Sequence, residues 1–355
     1  MRKPADFRFA IFGKIVYTDH LIRELSARRF PAPIVIVSPD IEYLRDKKLL
    51  SPYGLYGDLE SLVERKMAKV YKMDDVNCDK VIELLSEHKC NIGFSTSCRN
   101  IIKKAVINHF QGQIFNIHDS YLPDERGGAL NTWRILNGVN SVGDTIHYLD
   151  EGVDSGKVVL QRRVDIKKAS PKPVDYLTAE VDNCQKLLTK FLDLLLKDGP
   201  PPSAPQDHSK SFYYPRLYTE HNGIINWDWD VDYVERFIRG FSTPYPGAYT
   251  YYNGEKIHII DSYIDTSVRQ RFHPFCNGKI VTVLDGGNVR VITGCRALVL
   301  TQICVGEELL KPAQYLSVKY TLISSGKDIE QAKSYVPTTR EMNKPEAGRQ
   351  HLEGI

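Results

Sequence analysis

The first third of the chain alternates short apolar runs with amphipathic stretches. Runs rich in β-branched and aromatic residues predict buried strands at 7–12, 33–37, 91–95, 114–117 and 144–149. Apolar residues at helical spacing predict helices between strands, at 19–27 and 80–87. Strands and helices that alternate at this spacing are typical of an α/β fold with a doubly wound, mainly parallel sheet.

The clearest helix is predicted at 174–197, where one apolar stripe runs along the whole segment. The stripe consists of Leu177, Val181, Cys184, Leu188, Phe191 and Leu195. Gly199 and three consecutive prolines at 200–202 end it, and the polar stretch that follows has no periodicity. We therefore interpret residues 199–212 as a linker between two domains.

The second half of the chain has a different pattern. After a predicted helix at 231–241, short apolar runs are separated by the turn dipeptides Asn253-Gly254, Asn277-Gly278 and Gly286-Gly287. These runs predict strands at 249–252, 256–260, 279–284, 289–293 and 298–304. The sequence thus predicts an N-terminal α/β domain at 1–198 and a smaller β-rich, barrel-like domain at 213–310. Residues 311–355 form an extension, whose polar end at 336–355 is predicted to be mobile.

Composition narrows the class of protein. The formal net charge is only +3, from 47 basic and 44 acidic residues, which is not the electrostatic footprint of a typical nucleic-acid binder. Seven scattered cysteines with no C-x-x-C pair predict neither a metal site nor disulfides, and they favour a reducing compartment. No signal peptide or membrane-spanning run is evident, so we expect a cytoplasmic protein with no membrane partner.

The residues with the most chemical potential lie within 115–156. Asn116 and His118 are two positions apart at the end of a predicted strand, so their side chains should point to the same side. An Asn amide can stabilise an oxyanion, and a His can take a proton from an amine. Asp154, between Gly152 and Gly156, could orient that His. The residues alone also fit a structural His and a turn-forming Asp.

A resemblance to a known family adds to this interpretation. Asn116-Ile117-His118, the loop Ser120-Tyr121-Leu122-Pro123, Arg126-Gly127, Trp133, Asn137-Gly138 and the run at 147–156 resemble the signature of folate-dependent formyltransferases. Tyr121 stands where the family motif has Leu. Further along, the segments at 222–227 and 245–248 resemble the C-terminal domain of two-domain members. The resemblance covers about residues 7–310 and is weakest at 38–90.

The resemblance implies roles for individual residues. His118 would be the general base, Asn116 would stabilise the oxyanion, and Asp154 would orient His118. The formyl donor, N10-formyltetrahydrofolate, would be bound by Cys98, Arg99, Ile101, Ile102, Asp150, Glu151, Gly152 and Val153. The acceptor would be approached by a substrate loop comprising Ser120, Tyr121, Leu122, Pro123 and Arg126. A cis peptide bond is expected between Leu122 and Pro123.

The identity of the acceptor amine is less constrained. The second domain argues against glycinamide ribonucleotide formyltransferases, and the start of the chain at its first strand argues against formyltetrahydrofolate deformylases. Between the remaining classes, the segments at 213–217 and 272–275 favour a nucleotide-linked amino sugar over methionyl-tRNA. A non-catalytic folate-binding homologue is a further alternative. Aromatic strands in the second domain would suit a homodimer.

Overall fold

The computed structural model describes residues 3–335. The predicted mobile tail at 336–355 lies outside the described residues. Within them, the chain forms two principal sheets, each with its own buried apolar core. No helix in the described part of the chain combines the length and apolar character needed to cross a bilayer.

Seven strands form the N-terminal sheet: β1 (Phe9–Phe12), β2 (Ile34–Val37), β3 (Lys69–Lys72), β4 (Ile92–Thr96), β5 (Ile114–His118), β7 (Ser141–Tyr148) and β8 (Val158–Asp165). Their order is β3-β2-β1-β4-β5-β7-β8. The first five are parallel, whereas β7 and β8 run antiparallel to their neighbours. The predicted mainly parallel sheet is confirmed, and its last two strands are joined by a hairpin rather than by a helical crossover.

Helices cover both faces of this sheet. They are α1 (Val16–Ala27), α2 (Leu44–Leu50), α3 (Leu59–Glu64), α4 (Asp79–Glu87), α5 (Lys104–His109), α6 (Leu130–Leu136) and α7 (Pro173–Asp198). The C-terminal part of the predicted stripe of α7 is buried against the sheet, with Leu188, Phe191 and Leu195 fully enclosed. At the other end of the stripe, Leu177 and Val181 are only partly buried. On the opposite face, α4 and α5 contribute to a second cluster of buried residues. In folds of this kind, binding sites lie at the carboxyl ends of the parallel strands.

The second sheet is antiparallel. It contains β10 (Ala248–Tyr252), β11 (Glu255–Ile264), β12 (Ile280–Val283), β13 (Val289–Thr293), β14 (Arg296–Val305) and β15 (Glu308–Leu310). The segment at 319–323 hydrogen-bonds to both edge strands, through Ile323 to Tyr251 in β10 and through Tyr320 to Ile280 in β12. This segment therefore joins the two edges, which accounts for the barrel-like form predicted from the turn spacing.

The remaining elements connect the two domains. Helices α8 (Thr219–Asn222), α9 (Val231–Gly240) and α10 (Gly326–Ser334) belong to the C-terminal part, and α9 packs on α6. Across this contact the hydroxyl of Thr132 donates to the carbonyl of Gly240 at 2.9 Å. A short strand, β6 (Glu125–Gly127), pairs in parallel with β9 (Phe212–Tyr214) at the end of the predicted linker. The linker thus contributes backbone to the edge of the first domain.

Candidate active site

Strand β5 places two of the predicted catalytic side chains beside each other. Asn116 and His118 project from the same face because side chains alternate along a strand. Both lie at the carboxyl end of β5, and the side chain of His118 is 11% exposed. The ring is thus largely shielded from water, which strengthens electrostatic interactions around it.

A turn between β7 and β8 brings Asp154 to His118. Its carboxylate Oδ1 lies 3.5 Å from His118 Nδ1, and its Oδ2 lies 3.4 Å from the backbone nitrogen of Gly127. The residue has a φ of 52°, a left-handed conformation that L residues rarely adopt. The structure thus brings together the predicted catalytic residues Asn116, His118 and Asp154, although 38 positions separate the first from the last.

The turn requires glycine at its base. A Cβ on Gly156 would lie 1.8 Å from the carbonyl oxygen of Tyr148, so only glycine allows the two sides of the hairpin to approach this closely. At the tip, the carboxylate of Asp150 accepts hydrogen bonds from the Gly152 nitrogen at 3.1 Å and from the Ser155 hydroxyl at 2.7 Å. Gly156 and the hydrogen bonds of Asp150 together hold this turn in one conformation.

Both ring nitrogens of His118 face oxygen acceptors. Nδ1 faces Asp154, and Nε2 lies 3.2 Å from the backbone carbonyl of Glu125. A neutral ring has one N–H and can donate to only one of these oxygens, whereas a protonated ring donates to both. The surroundings are therefore suited to a His that receives a proton during a reaction.

A second histidine, His147, lies next to Asn116, and the sequence analysis assigned it no role. The antiparallel register of β5 and β7 places it opposite Asn116, and its Nε2 lies 3.1 Å from the Asn116 amide nitrogen. Its Nδ1 lies 2.8 Å from the Tyr148 carbonyl, which can only accept a hydrogen bond. Burial, with a further contribution from His118, lowers the pKa of His147 to about 4.

These contacts define the orientation of the Asn116 amide. A neutral His147 with its proton on Nδ1 has a lone pair on Nε2, so Asn116 must donate to it. One N–H of the amide is used in this way, and among the described residues the second has no acceptor and remains available. The contact of His147 with Asn116 could have been predicted if the strand at 144–149 had been paired antiparallel to the strand at 114–117.

The segments predicted to hold the folate lie on two adjacent loops. One follows β4 and contains Cys98, Arg99, Ile101 and Ile102, and the other is the turn with Asp150, Glu151, Gly152 and Val153. An ion pair of 2.9 Å connects Glu151 of the turn to Lys104, the first residue of α5, directly after the other loop. Ile101 is 67% exposed and Val153 is 51% exposed, so each loop presents one large apolar side chain to solvent.

Two observations bear on whether a ligand fits the loop after β4. Among the residues that the structure describes, the side-chain oxygen of Asn100 and the Nε of Arg99 are buried without a hydrogen-bond partner, which is costly unless a further group satisfies them. Cys98, by contrast, is not an activated thiol, because burial raises its pKa to about 11. The loop therefore fits a ligand bound by polar and apolar contacts rather than covalently.

The predicted substrate loop borders the same crevice. The peptide bond between Leu122 and Pro123 is cis, as expected. The hydroxyl of Ser120 donates to the Glu125 carbonyl, the same oxygen that faces His118. Arg126 is the exception, because its guanidinium is turned to the linker, where it donates to Gln206 at 2.7 Å and lies 2.9 Å from His208 Nδ1.

A second polar cluster lies beneath the site, between the sheet and α7. Arg134 pairs with Glu125 at 2.6 Å and with Glu180 at 2.5 Å. Next to it, the thiol of Cys184 lies between the carboxylates of Asp119 and Asp144, at 3.8 and 3.1 Å. The Cys184 sulfur and one oxygen of each carboxylate lie within 4.8 Å of one another, an arrangement that could hold a metal ion. The sequence predicted no metal site here. Burial, with a further contribution from Asp119, raises the pKa of Asp144 to about 7.

Comparison with known protein families agrees with this architecture. Residues 8–185 match the formyl transferase family, and residues 218–319 match the formyl transferase C-terminal domain. The first match alone covers half of the chain. The protein therefore belongs to the formyltransferase family and is an enzyme of that class, as the resemblance predicted.

Solved structures with the same fold include sugar-modifying members of the family. An N-formyltransferase from Helicobacter canadensis, in complex with folinic acid and dTDP-3-aminofucose, aligns with a TM-score of 0.60 at 18% identity, over 84% of this chain and 99% of the other. WlaRD, a sugar 3N-formyltransferase in the presence of dTDP and 5-N-formyl-THF, aligns with a TM-score of 0.58 at 18% identity, over 83% and 97%. HypX from Aquifex aeolicus, in complex with tetrahydrofolic acid, aligns with a TM-score of 0.50 at 17% identity, over 82% and 50%.

Proposed function

We propose that the protein transfers the formyl group of N10-formyltetrahydrofolate to the primary amine of a nucleotide-linked amino sugar. The observation that carries this proposal is the meeting of Asn116, His118 and Asp154 at one accessible strand end, with His118 Nδ1 3.5 Å from Asp154 Oδ1. The donor, which the reaction consumes as a substrate, would lie between the loop after β4 and the turn whose Glu151 pairs with Lys104.

The proposed chemistry needs no covalent protein nucleophile. The amine nitrogen attacks the formyl carbon, and the carbonyl π electrons move to the formyl oxygen. The free N–H of Asn116 stabilises that oxyanion, while His147 fixes the orientation of the amide. His118 takes the proton that the amine loses. When the oxyanion re-forms the carbonyl, the bond to N10 breaks, and the proton returns to N10 through His118.

Asp154 and the Glu125 carbonyl stabilise the positive charge that His118 acquires when it takes the proton. The protonated ring donates to both oxygens, so the step in which the amine loses its proton gains a hydrogen bond that the neutral ring lacks. The effect arises during the reaction rather than on substrate binding, and it should therefore appear in kcat.

The preference for a nucleotide-linked sugar is supported by the strand after the linker. Phe212 and Tyr213 of β9 are 67% and 66% exposed, and Tyr213 lies against Gly127, beside the site. Exposed aromatic rings are surfaces on which a nucleobase can stack. Arg216 follows, packed beside Gly128, where a guanidinium could pair with a phosphate. Relatives with the same fold have been crystallised with dTDP and dTDP-3-aminofucose.

The proposed function is tested by a panel of acceptors. Purified protein would be given N10-formyltetrahydrofolate with several nucleotide-linked amino sugars or with charged initiator methionyl-tRNA, and products would be followed by mass for the gain of one formyl group. We expect turnover on at least one sugar nucleotide and none on tRNA. Turnover on tRNA alone would keep the chemistry and overturn the acceptor, and no turnover on any amine would favour a folate-binding homologue without activity.

A further inference from the structure

The linker between the domains is attached to the first domain at the turn between β7 and β8, the catalytic turn, which carries Asp154. Ala204 forms a two-way backbone bridge to Val158, the first residue of β8, with both hydrogen bonds at 2.8 Å. Two residues later, Gln206 is only 8% exposed although every other residue from 202 to 210 is exposed. A single polar side chain buried in an otherwise solvated segment needs a specific explanation.

Gln206 uses its full amide group in contacts with the first domain. Its Nε2 donates to the backbone carbonyls of Asp154 at 2.9 Å and of Gly156 at 2.7 Å. Its Oε1 accepts from Arg126 at 2.7 Å. The two carbonyls belong to the turn that carries the Asp154 carboxylate, so the linker is hydrogen-bonded to the backbone of that residue itself.

The turn needs such support. Asp154 is held at a φ of 52°, a strained conformation for an L residue that persists only where neighbouring groups enforce it. Its carboxylate must also stay within reach of His118, and a displacement of about 1 Å in such geometry can cost roughly a hundredfold in rate. Within the described residues, Gln206 is the side chain from outside the hairpin that hydrogen-bonds to the backbone of this turn, at Asp154 and at Gly156.

We propose that Gln206 is a positioning residue, which fixes the catalytic turn from the interdomain linker and so makes the alignment of Asp154 depend on how the linker is seated. The proposal rests on the proposed function for its consequence in turnover. Among the described residues, the side chain of Gln206 hydrogen-bonds to Arg126, Asp154 and Gly156 and not to His118, so it would act through Asp154.

The test compares Gln206→Glu and Gln206→Leu with Lys210→Ala, a matched change at an exposed linker position. Glu keeps the size of the side chain but turns a double donor into an acceptor that faces two carbonyls. We expect kcat to fall by about 10- to 100-fold in both Gln206 variants, with KM for the acceptor changed by less than about threefold. Lys210→Ala should match wild type. Unchanged kcat in both Gln206 variants would overturn the proposal.

Two further measurements separate a positioning role from a loss of folding and from failure of the proposed function. If Gln206 acts through Asp154, adding Gln206→Leu to Asp154→Asn should cost less than about threefold more, and full multiplicativity would contradict the mechanism. The chemical shifts of the His118 ring in NMR spectra should change in Gln206→Leu in the same direction as in Asp154→Asn, because one variant displaces the Asp154 carboxylate and the other removes it. This readout needs no acceptor, and unchanged ring shifts would reject the proposal even if no turnover were found.

Discussion

Two clusters of polar side chains lie on opposite faces of β5 and β7, and each contains ionisable groups. The first has Asn116, His118, His147 and Asp154 at the crevice, where the His118 and Asp154 side chains are 11% and 15% exposed. The second has Asp119, Asp144, Glu180 and Arg134 against α7, where Arg134 is only 2% exposed. Because side chains alternate along β7, Asp144 and His147 belong to different clusters although they are three positions apart.

The difference between the clusters lies in what their groups can still bind. In the buried cluster, Arg134 is saturated by Glu125, Glu180, Asn131 and the Asp119 carbonyl, so it has no group left for a substrate. In the crevice, Asn116 keeps one N–H for a further acceptor, and His118 can gain a proton between two oxygens. Position relative to the crevice, rather than residue type, separates reactive groups from structural ones.

Replacing Asp154 should produce the largest effect on the crevice cluster. In Asp154→Asn the amide cannot stabilise a protonated His118 by charge, so we expect kcat to fall by roughly two to four orders of magnitude. The measurement is steady-state formyl transfer, with circular dichroism to establish that the variant folds. A rate within about tenfold of wild type would mean that the carboxylate has no part in the chemistry.

Replacing Arg134 should break the buried cluster instead. Arg134→Met leaves Glu180 buried without its cation, and we expect a loss of about 3–5 kcal/mol in the free energy of unfolding. Lys168→Met, which removes an ion pair with Asp175 at the surface, is the matched control and should cost less than about 1 kcal/mol. Equal losses in the two variants, measured by denaturant unfolding, would contradict the structural role given to Arg134.

Asp144 gives the buried cluster a distinct pH dependence. Its pKa is raised to about 7 in the folded protein, so folding favours the protonated carboxyl. The protonated carboxyl stabilises the fold fully below the pKa that Asp144 has in the unfolded chain. This contribution to the free energy of unfolding is lost as the pH rises to about 7. Asp144→Asn cannot ionise. The stability of the variant minus that of wild type should therefore rise by roughly 3–4 kcal/mol between pH 4 and pH 8. A difference in the free energy of unfolding that stays flat between pH 4 and pH 8 would contradict the assignment.

The sequence predicted the crevice cluster better than the buried one. Asn116, His118 and Asp154 are recognisable because a motif of fixed order and local spacing carries them, and the structure brings them together. His147 was missed because its contact depends on antiparallel pairing of β5 with β7, whereas the alternating pattern favoured parallel strands. Gln206 was missed because a polar residue in a polar segment gives no signal of burial; only the three-dimensional seating of the linker reveals it.

Elements with a strong apolar pattern were predictable from the sequence, whereas two edge strands were not. Long apolar stripes such as that of α7 located helices closely, and turn dipeptides located the strands of the second sheet. The strand β3, whose ends are the exposed Lys69 and Lys72, and the strand β8, which is half-exposed, lack a strong apolar pattern and were not predicted. Edge strands have one unpaired side and little buried surface, so their sequences are weakly constrained.

The central claim is that the crevice cluster carries out formyl transfer through His118. The most direct test is to measure formyl transfer and tetrahydrofolate affinity side by side for wild type and His118→Asn. We expect the variant to lose roughly a thousandfold or more in turnover, while its dissociation constant for tetrahydrofolate stays within about threefold of wild type. A variant that transfers formyl at the wild-type rate would show that the proton is accepted elsewhere, and the proposed mechanism would be wrong.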